Sequence, residues 1–177
     1  MLSGKIKSKA KDLGYTACGI IPAASFDEFL KEIDKRSELF PNTKEFYDIF
    51  RGMSEPPEDA KSIIVCTQRM NRYKLPKDLE PFYGKMYLYD ARVSYTDEHR
   101  INDEFATFIK MLGMDIIEGS VPDRWAGAKA GIGKFGRNNF LFDENHGSYV
   151  VIQTWIVDKE LEYDEAPKDI VLSFCNE

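Results

Sequence analysis

The chain has 177 residues, 43% hydrophobic and 13% aromatic, which suffices for one compact domain burying roughly 70% of its unfolded surface and excludes intrinsic disorder. Thirty acidic against 24 basic residues leave a net charge of -6, which excludes a general nucleic-acid or anionic-membrane surface but leaves room for a local basic pocket. No apolar run approaches a membrane span, and residues 1–14 form a basic amphipathic segment without the apolar centre of a signal peptide, so the expected location is cytoplasmic.

The first element is a helix that Ser3 is placed to cap, carrying Ile6, Ala10 and Leu13 on one side and stopping at Gly14. Residues 15–21 read as a short strand. Ser25 and Glu28 stand at capping-box spacing ahead of Phe29, Leu30 and Ile33, and residues 43–50 give a shorter aromatic helix ending near Gly52. Pro56 and Pro57 interrupt the chain before a buried strand at 62–67. Residues 68–85 form a long polar and aromatic connection of the kind that lines binding sites.

After Asp97, the apolar residues Ile101, Phe105, Phe108, Ile109 and Leu112 recur at helical spacing up to Gly113. Residues 114–118 then extend as a strand. Residues 121–148 are expected to be one loop, rich in glycine, with 138–142 extended and a turn at 143–147, and residues 149–157 form a long apolar strand. The fold class is therefore α+β (mixed α/β), a central sheet flanked by helices.

The glycine-rich loop is the candidate binding site. Gly131, Gly133 and Gly136 let the main chain approach a ligand closely, and successive N–H groups there attract phosphate, carboxylate or an amide-bearing ring. Arg137 adds a planar fork of donors, Lys134 a mobile charge, and Asn138 and Asn139 supply amides that both donate and accept. The alternative is a turn whose polar groups satisfy one another. Residues 131–136 also spell G-x-G-x-x-G, but the dinucleotide fingerprint needs a buried strand before it and a helix after it. Here Ala/Gly-rich residues precede and an extended segment follows.

Cys18, Cys66 and Cys175 are too few and too widely spaced for a disulfide framework or a self-contained metal site. Cys18 and Cys66 lie in apolar runs and read as small buried hydrophobes. Cys175, near the end of the sequence, has the position of a first member of a cysteine series. His99 sits on a helix near a D-x-H-x-x-N pattern that lacks the final glycine of the cobalt-ligating motif D-x-H-x-x-G, and His146 sits in a turn. Neither histidine has a second ligand at zinc spacing.

Arg124, Ala126, Ala130, Gly131, Ile132, Gly133, the run Gly136 to Asn139, Gly147, Ser148 and the apolar strand ending at Asp158 resemble the signature of the epoxyqueuosine reductase-like iron–sulfur proteins. The lysine-rich first helix leading into a G-I strand, and the strand entry at 57–65, are similar too. The resemblance covers most of the chain, and its specific part is 124–148.

The resemblance implies a cobalamin-binding domain over residues 1–170, similar in fold to flavin nitroreductases and cobalamin-processing proteins. It implies that 171–177 begin a linker to a ferredoxin-like domain absent from this sequence, with Cys175 as a ligand of its 4Fe–4S clusters. It further implies a cobalamin- and iron–sulfur-dependent oxidoreductase, fed by a donor such as ferredoxin or flavodoxin, that reduces a small molecule or a modified nucleoside. The cofactor-binding residues would be Ala130, Gly131, Gly133, Lys134, Gly136, Arg137, Asn138, Asn139, Gly147 and Ser148.

Ile117 holds the place of the family's catalytic aspartate. Glu118 beside it and Tyr95 are the candidate proton donors, with Asp115 and Asp123 as weaker substitutes. The second reading is a non-catalytic or flavin-binding (FMN) electron-transfer module of the same fold.

Overall fold

The computed structural model describes residues 1–70, 76–82 and 97–171. In chain order the elements are α1 (Leu2–Asp12), β1 (Ala17–Pro22), α2 (Asp27–Leu39), α3 (Lys44–Arg51), β2 (Ser62–Arg69), α4 (Asp97–Met111), α5 (Asp123–Lys129), β3 (Lys134–Phe135), β4 (Leu141–Phe142) and β5 (Val150–Val157). Single 3-10 turns occupy Pro41–Thr43, Gly52–Ser54 and Glu80–Phe82.

The central sheet is antiparallel with order β1-β2-β5, and β3 and β4 form a separate two-stranded hairpin. In β2 the side chains alternate between two apolar cores. Ile64 and Cys66 join Ile6, Ala10, Phe105, Ile109 and Trp155 under α1 and α4, whereas Ile63 and Val65 join Phe26, Val121, Ala126 and Ile156 on the opposite face. Both faces of β2 are thus covered, which is why residues 63–66 read as an unbroken apolar run. The mixed α/β class with a sheet between helices is therefore present, as a small antiparallel sheet.

Several boundaries differ from the sequence expectation. Ser3 does not cap α1: Met1 holds that position, and Ser3 is buried in the first turn, donating its hydroxyl to the Glu162 carbonyl at 3.0 Å and accepting from the Glu162 N–H at 3.0 Å. Nor does Ser25 cap α2. Its hydroxyl donates to Asp27 at 2.5 Å and Glu55 at 2.9 Å, while Phe26, only 1% exposed, occupies the cap position because burial of its ring fixes the chain entry.

The expected strand at 114–118 is reduced to a bridge between Ile116 and Val157 plus the Ile117 N–H donating to the Ile156 carbonyl at 2.8 Å. The segment 121–148 is not one loop. It holds helix α5 and the β3–β4 hairpin, and in 138–142 only Leu141–Phe142 is strand. The connection 68–85 begins within β2, and its residues 71–75 and 83–85 lie outside the described residues.

Candidate functional site

Helix α5 lies against the sheet through small residues. Ala126, Gly127 and Ala128 are buried, and a Cβ on Gly19 of β1 would come within 2.7 Å of the Ala130 Cβ, so strand and helix end meet at backbone distance. The helix stops on a glycine. The Gly131 N–H donates to the Ala128 carbonyl at 3.0 Å, the Ile132 N–H to the Gly127 carbonyl at 3.1 Å, and Gly131 has φ +71. This is the Schellman pattern, with Gly131 as the left-handed residue and Ile132 turning back onto the apolar face beneath.

The glycine motif therefore closes a helix. A dinucleotide fingerprint opens one, so its geometry is absent here for a stated reason.

Gly133 and Gly136 serve a different purpose. A Cβ on Gly133 would lie 2.8 Å from Leu141 Cγ and 2.9 Å from the Phe142 carbonyl oxygen, and one on Gly136 would lie 2.4 Å from the Phe142 ring. Both glycines let β4 fold tightly over β3. Space beside Gly131 is open: it is exposed, and nothing stands within 4 Å of where its Cβ would be.

The hairpin loop is closed by the Gly136 N–H to the Phe140 carbonyl at 3.0 Å and the Asn139 N–H to the Gly136 carbonyl at 2.9 Å. Asn138 Oδ1 accepts from the Phe140 N–H at 3.2 Å, and Asn139 takes the left-handed conformation at φ 63 that asparagine tolerates. Arg124 ties the loop to α5, donating to the Asn139 carbonyl at 3.1 Å and standing 5.3 Å from the Phe140 ring centre. Lys134, Arg137 and Asn138 are exposed, Asn139, Gly147 and Ser148 half-buried, and Ala130 and Gly136 buried.

The turn that delivers Gly147 and Ser148 into β5 is organised by Asp143, which is 5% exposed. Its Oδ1 accepts from the N–H of Asn145 at 2.9 Å and of His146 at 3.0 Å and lies 2.9 Å from His146 Nδ1. Asp143 and Gly147 also exchange backbone bonds. His146 is thus a local turn residue. On the other side, the Phe135 N–H donates to the Ile170 carbonyl at 2.6 Å and Phe135 bridges Val171, which brings Ile170 and Val171 alongside the hairpin.

Glu118 is exposed, while Ile117 is half-buried and packs with the core under α5. Asp123 stands apart among the described acids. Burial pushes its carboxyl above the ordinary aspartate range, against the lowering effects of a 2.8 Å hydrogen bond from the Thr154 hydroxyl and the nearby Arg124. It lines a cavity of about 420 Å³ between α2–α3 and α5, with Phe46, Tyr47, Phe50, Trp125 and Asn139 among the walls.

A second cavity, about 460 Å³, is lined by Phe26, Trp125, Lys129, Asp164, Lys168 and Ile170. Lys129 there pairs with Glu28 at 3.2 Å and stands 4.8 Å from the Phe26 ring centre. Tyr95 and Cys175 lie outside the described residues, and among the described residues no cluster of three or more His, Cys, Asp or Glu is placed to hold a metal.

No protein-family profile matches the sequence. Curated epoxyqueuosine reductases of Leadbetterella byssophila and Cyclobacterium marinum are 27% and 26% identical to it, over 94% and 93% of this chain and 58% and 56% of their own. The chain resembles epoxyqueuosine reductases along nearly its whole length. The solved epoxyqueuosine reductase of Streptococcus thermophilus shares the fold, with a TM-score of 0.70 at 20% identity over 94% of this chain and 48% of that one. A catabolic reductive dehalogenase follows at a TM-score of 0.59 and 10% identity, over 95% of this chain and 21% of its own.

This chain therefore spans a little over half the length of the curated epoxyqueuosine reductases it matches. Asp123 ranks only as a weaker substitute in the sequence because its residue type carries no signal alone. Its surroundings include Thr154, a hydrogen-bond donor 31 positions away in sequence, and a helix that the sequence pattern presents as loop.

Proposed function

We propose that this chain is the cofactor-binding part of an iron–sulfur oxidoreductase of the epoxyqueuosine reductase type, built on a nitroreductase-like architecture and using cobalamin. The observation that carries the reading is an open, left-handed glycine at the end of α5, beside exposed Lys134, Arg137 and Asn138, within a fold shared with epoxyqueuosine reductases.

These residues match the needs of a corrin, whose rim carries amides that both donate and accept. Arg137 and Lys134 would donate to the rim carbonyls, Asn138 would pair with the amides, and the exposed backbone at Gly131 would permit close approach. Gly133 and Gly136 support this surface indirectly, by holding the hairpin tight. Cobalamin, when bound, supplies one-electron cobalt chemistry.

Clusters of the 4Fe–4S type would lie outside the described residues, with Cys175 as a first ligand and a ferredoxin or flavodoxin as electron source.

Asp123 is the described carboxyl whose affinity for a proton is raised by burial, which makes it the candidate proton donor. Its surroundings disfavour the charged form, and the Thr154 hydroxyl orients it. Glu118 and Tyr95 remain the alternative donors. The substrate would be a small molecule or a modified nucleoside. One epoxyqueuosine reductase has been solved with an epoxyqueuosine-modified tRNA stem loop, which supports a modified nucleoside as the substrate class.

The second reading is an FMN-binding or non-catalytic electron-transfer module of the same fold. Apolar, half-buried Ile117 at the family's acid position favours it.

Titration of hydroxocobalamin into the purified chain tests the proposal. A shifted corrin absorption spectrum is expected, with affinity falling about tenfold in Arg137→Ala, the order for loss of a hydrogen bond to a charged group. An unchanged spectrum at saturating protein overturns the cobalamin reading, and quenching of FMN fluorescence instead supports the second. Gly133→Val is a poor probe because its side chain would displace Leu141.

A further inference from the structure

Cys18 on β1 stands directly opposite Cys66 on β2. Which type of cross-strand site this is follows from the pattern of backbone bonds. The Met70 N–H donates to the Tyr149 carbonyl, and Met70 extends the even-numbered positions of β2, so those positions direct their backbone groups toward β5. The Ala23 N–H donates to the Lys61 carbonyl and the Thr16 N–H to the Thr67 carbonyl, so the odd-numbered positions serve β1. Cys66 is even. Cys18 and Cys66 are therefore a non-hydrogen-bonded pair, the type in which Cα atoms approach to about 4.5 Å and side chains are closest, within the range a disulfide spans.

Both thiols point to the same face of the sheet, because residues directly opposite in an antiparallel pair do so. Cys66 belongs to the core under α1 and α4, and Cys18 packs against that core from a partly exposed position.

We propose that Cys18 and Cys66 are a redox-modifiable dithiol that closes to a cross-strand disulfide when the chain meets a low-molecular-weight disulfide such as oxidised glutathione. Cys18, the accessible member, attacks one glutathione sulfur as its thiolate, forming a mixed disulfide and releasing one glutathione thiolate. Cys66 then loses its proton and attacks the Cys18 sulfur, breaking the mixed disulfide and releasing the second glutathione. The protein gives up two electrons and two protons, and one oxidised glutathione becomes two reduced ones.

Burial and the neighbouring Cys18 hold the Cys66 thiol well above its ordinary range, so Cys66 is protected from direct attack and reacts only from within the pair. The closed bond would tie edge strand β1 to central strand β2. This inference rests on strand register and stands apart from the cofactor reading.

The test incubates the full chain with oxidised glutathione, blocks remaining thiols with iodoacetamide and maps peptides without reduction. A crosslinked pair of peptides containing Cys18 and Cys66 is expected, lighter by two hydrogens than the sum of the reduced peptides and separated by dithiothreitol. Cys18→Ser should abolish it and leave Cys66 unmodified by glutathione, and Cys18→Ala repeats the control if serine disturbs the strand. A glutathione adduct that persists on Cys18 without closing, or a bridge formed only through Cys175, overturns the proposal.

Discussion

The two faces of the central sheet are covered in different ways, and the two cavities beside α5 lie on one of them. Under α1 and α4, Tyr15, Phe105 and Trp155 interlock, with ring centres 4.8 to 5.9 Å apart, and Tyr15 donates to Asn102 at 2.6 Å while Gln68 donates to the same oxygen at 3.1 Å. Large interlocked rings fill that side, with the Tyr15 hydroxyl bonded to Asn102. On the other face the seven-residue α5 contributes alanines and a glycine, which bring the hairpin close to the sheet and place Asp123, Arg124 and Lys129 beside cavities. Bulk gives one face its stability, and small residues give the other its room.

Three substitutions break or sharpen this contrast. The largest effect is expected from Phe105→Ala, which empties a fully buried ring site on the closed face and should cost about 3–5 kcal/mol in urea denaturation. A loss below about 1 kcal/mol would mean that the aromatic cluster does not anchor the fold.

Next comes Gly133→Val on the open face. The new Cβ meets Leu141 and the Phe142 carbonyl, so destabilisation of about 1–3 kcal/mol is expected. Leu141→Ala should restore only part of it in a double-mutant cycle, because the backbone oxygen remains. Full restoration would show that the side chain alone sets the constraint.

Asp123→Asn should give the smallest effect, visible through pH. A carboxyl with a raised folded pKa binds its proton more tightly in the folded state, so its contribution is most favourable at low pH and declines as pH rises from the ordinary carboxylate range through the folded value. The asparagine variant lacks that decline. Its stability relative to the parent should therefore rise with pH across the window, as followed by urea midpoints in a pH series, and a flat difference would refute the assignment.

The long periodic elements were legible in advance. Ile101, Phe105 and Ile109 define α4, residues 62–67 fall within β2, and the apolar side of α1 and its stop at Gly14 follow from pattern and glycine conformation. The capping residues were misjudged because local rules compete with distant partners: Ser3 binds Glu162, 159 positions away, and Phe26 is drawn into the core. Helix α5 went unseen because its small residues imitate a flexible loop, although Gly131 after A-G-A-K-A was the available sign of a helix end.

By itself, the order of residues determined a mixed α/β domain, the two-sided burial of β2 and the resemblance carried by 124–148, since these depend on periodicity and on chain neighbours. Tertiary structure alone decided which glycines face open space and which are filled by Leu141 and Phe142, that burial pushes the Asp123 carboxyl upward, and that Cys18 meets Cys66. Those outcomes arise from groups far apart along the chain being pressed together, and a carboxyl, a thiol or a missing Cβ takes its chemistry from what it touches.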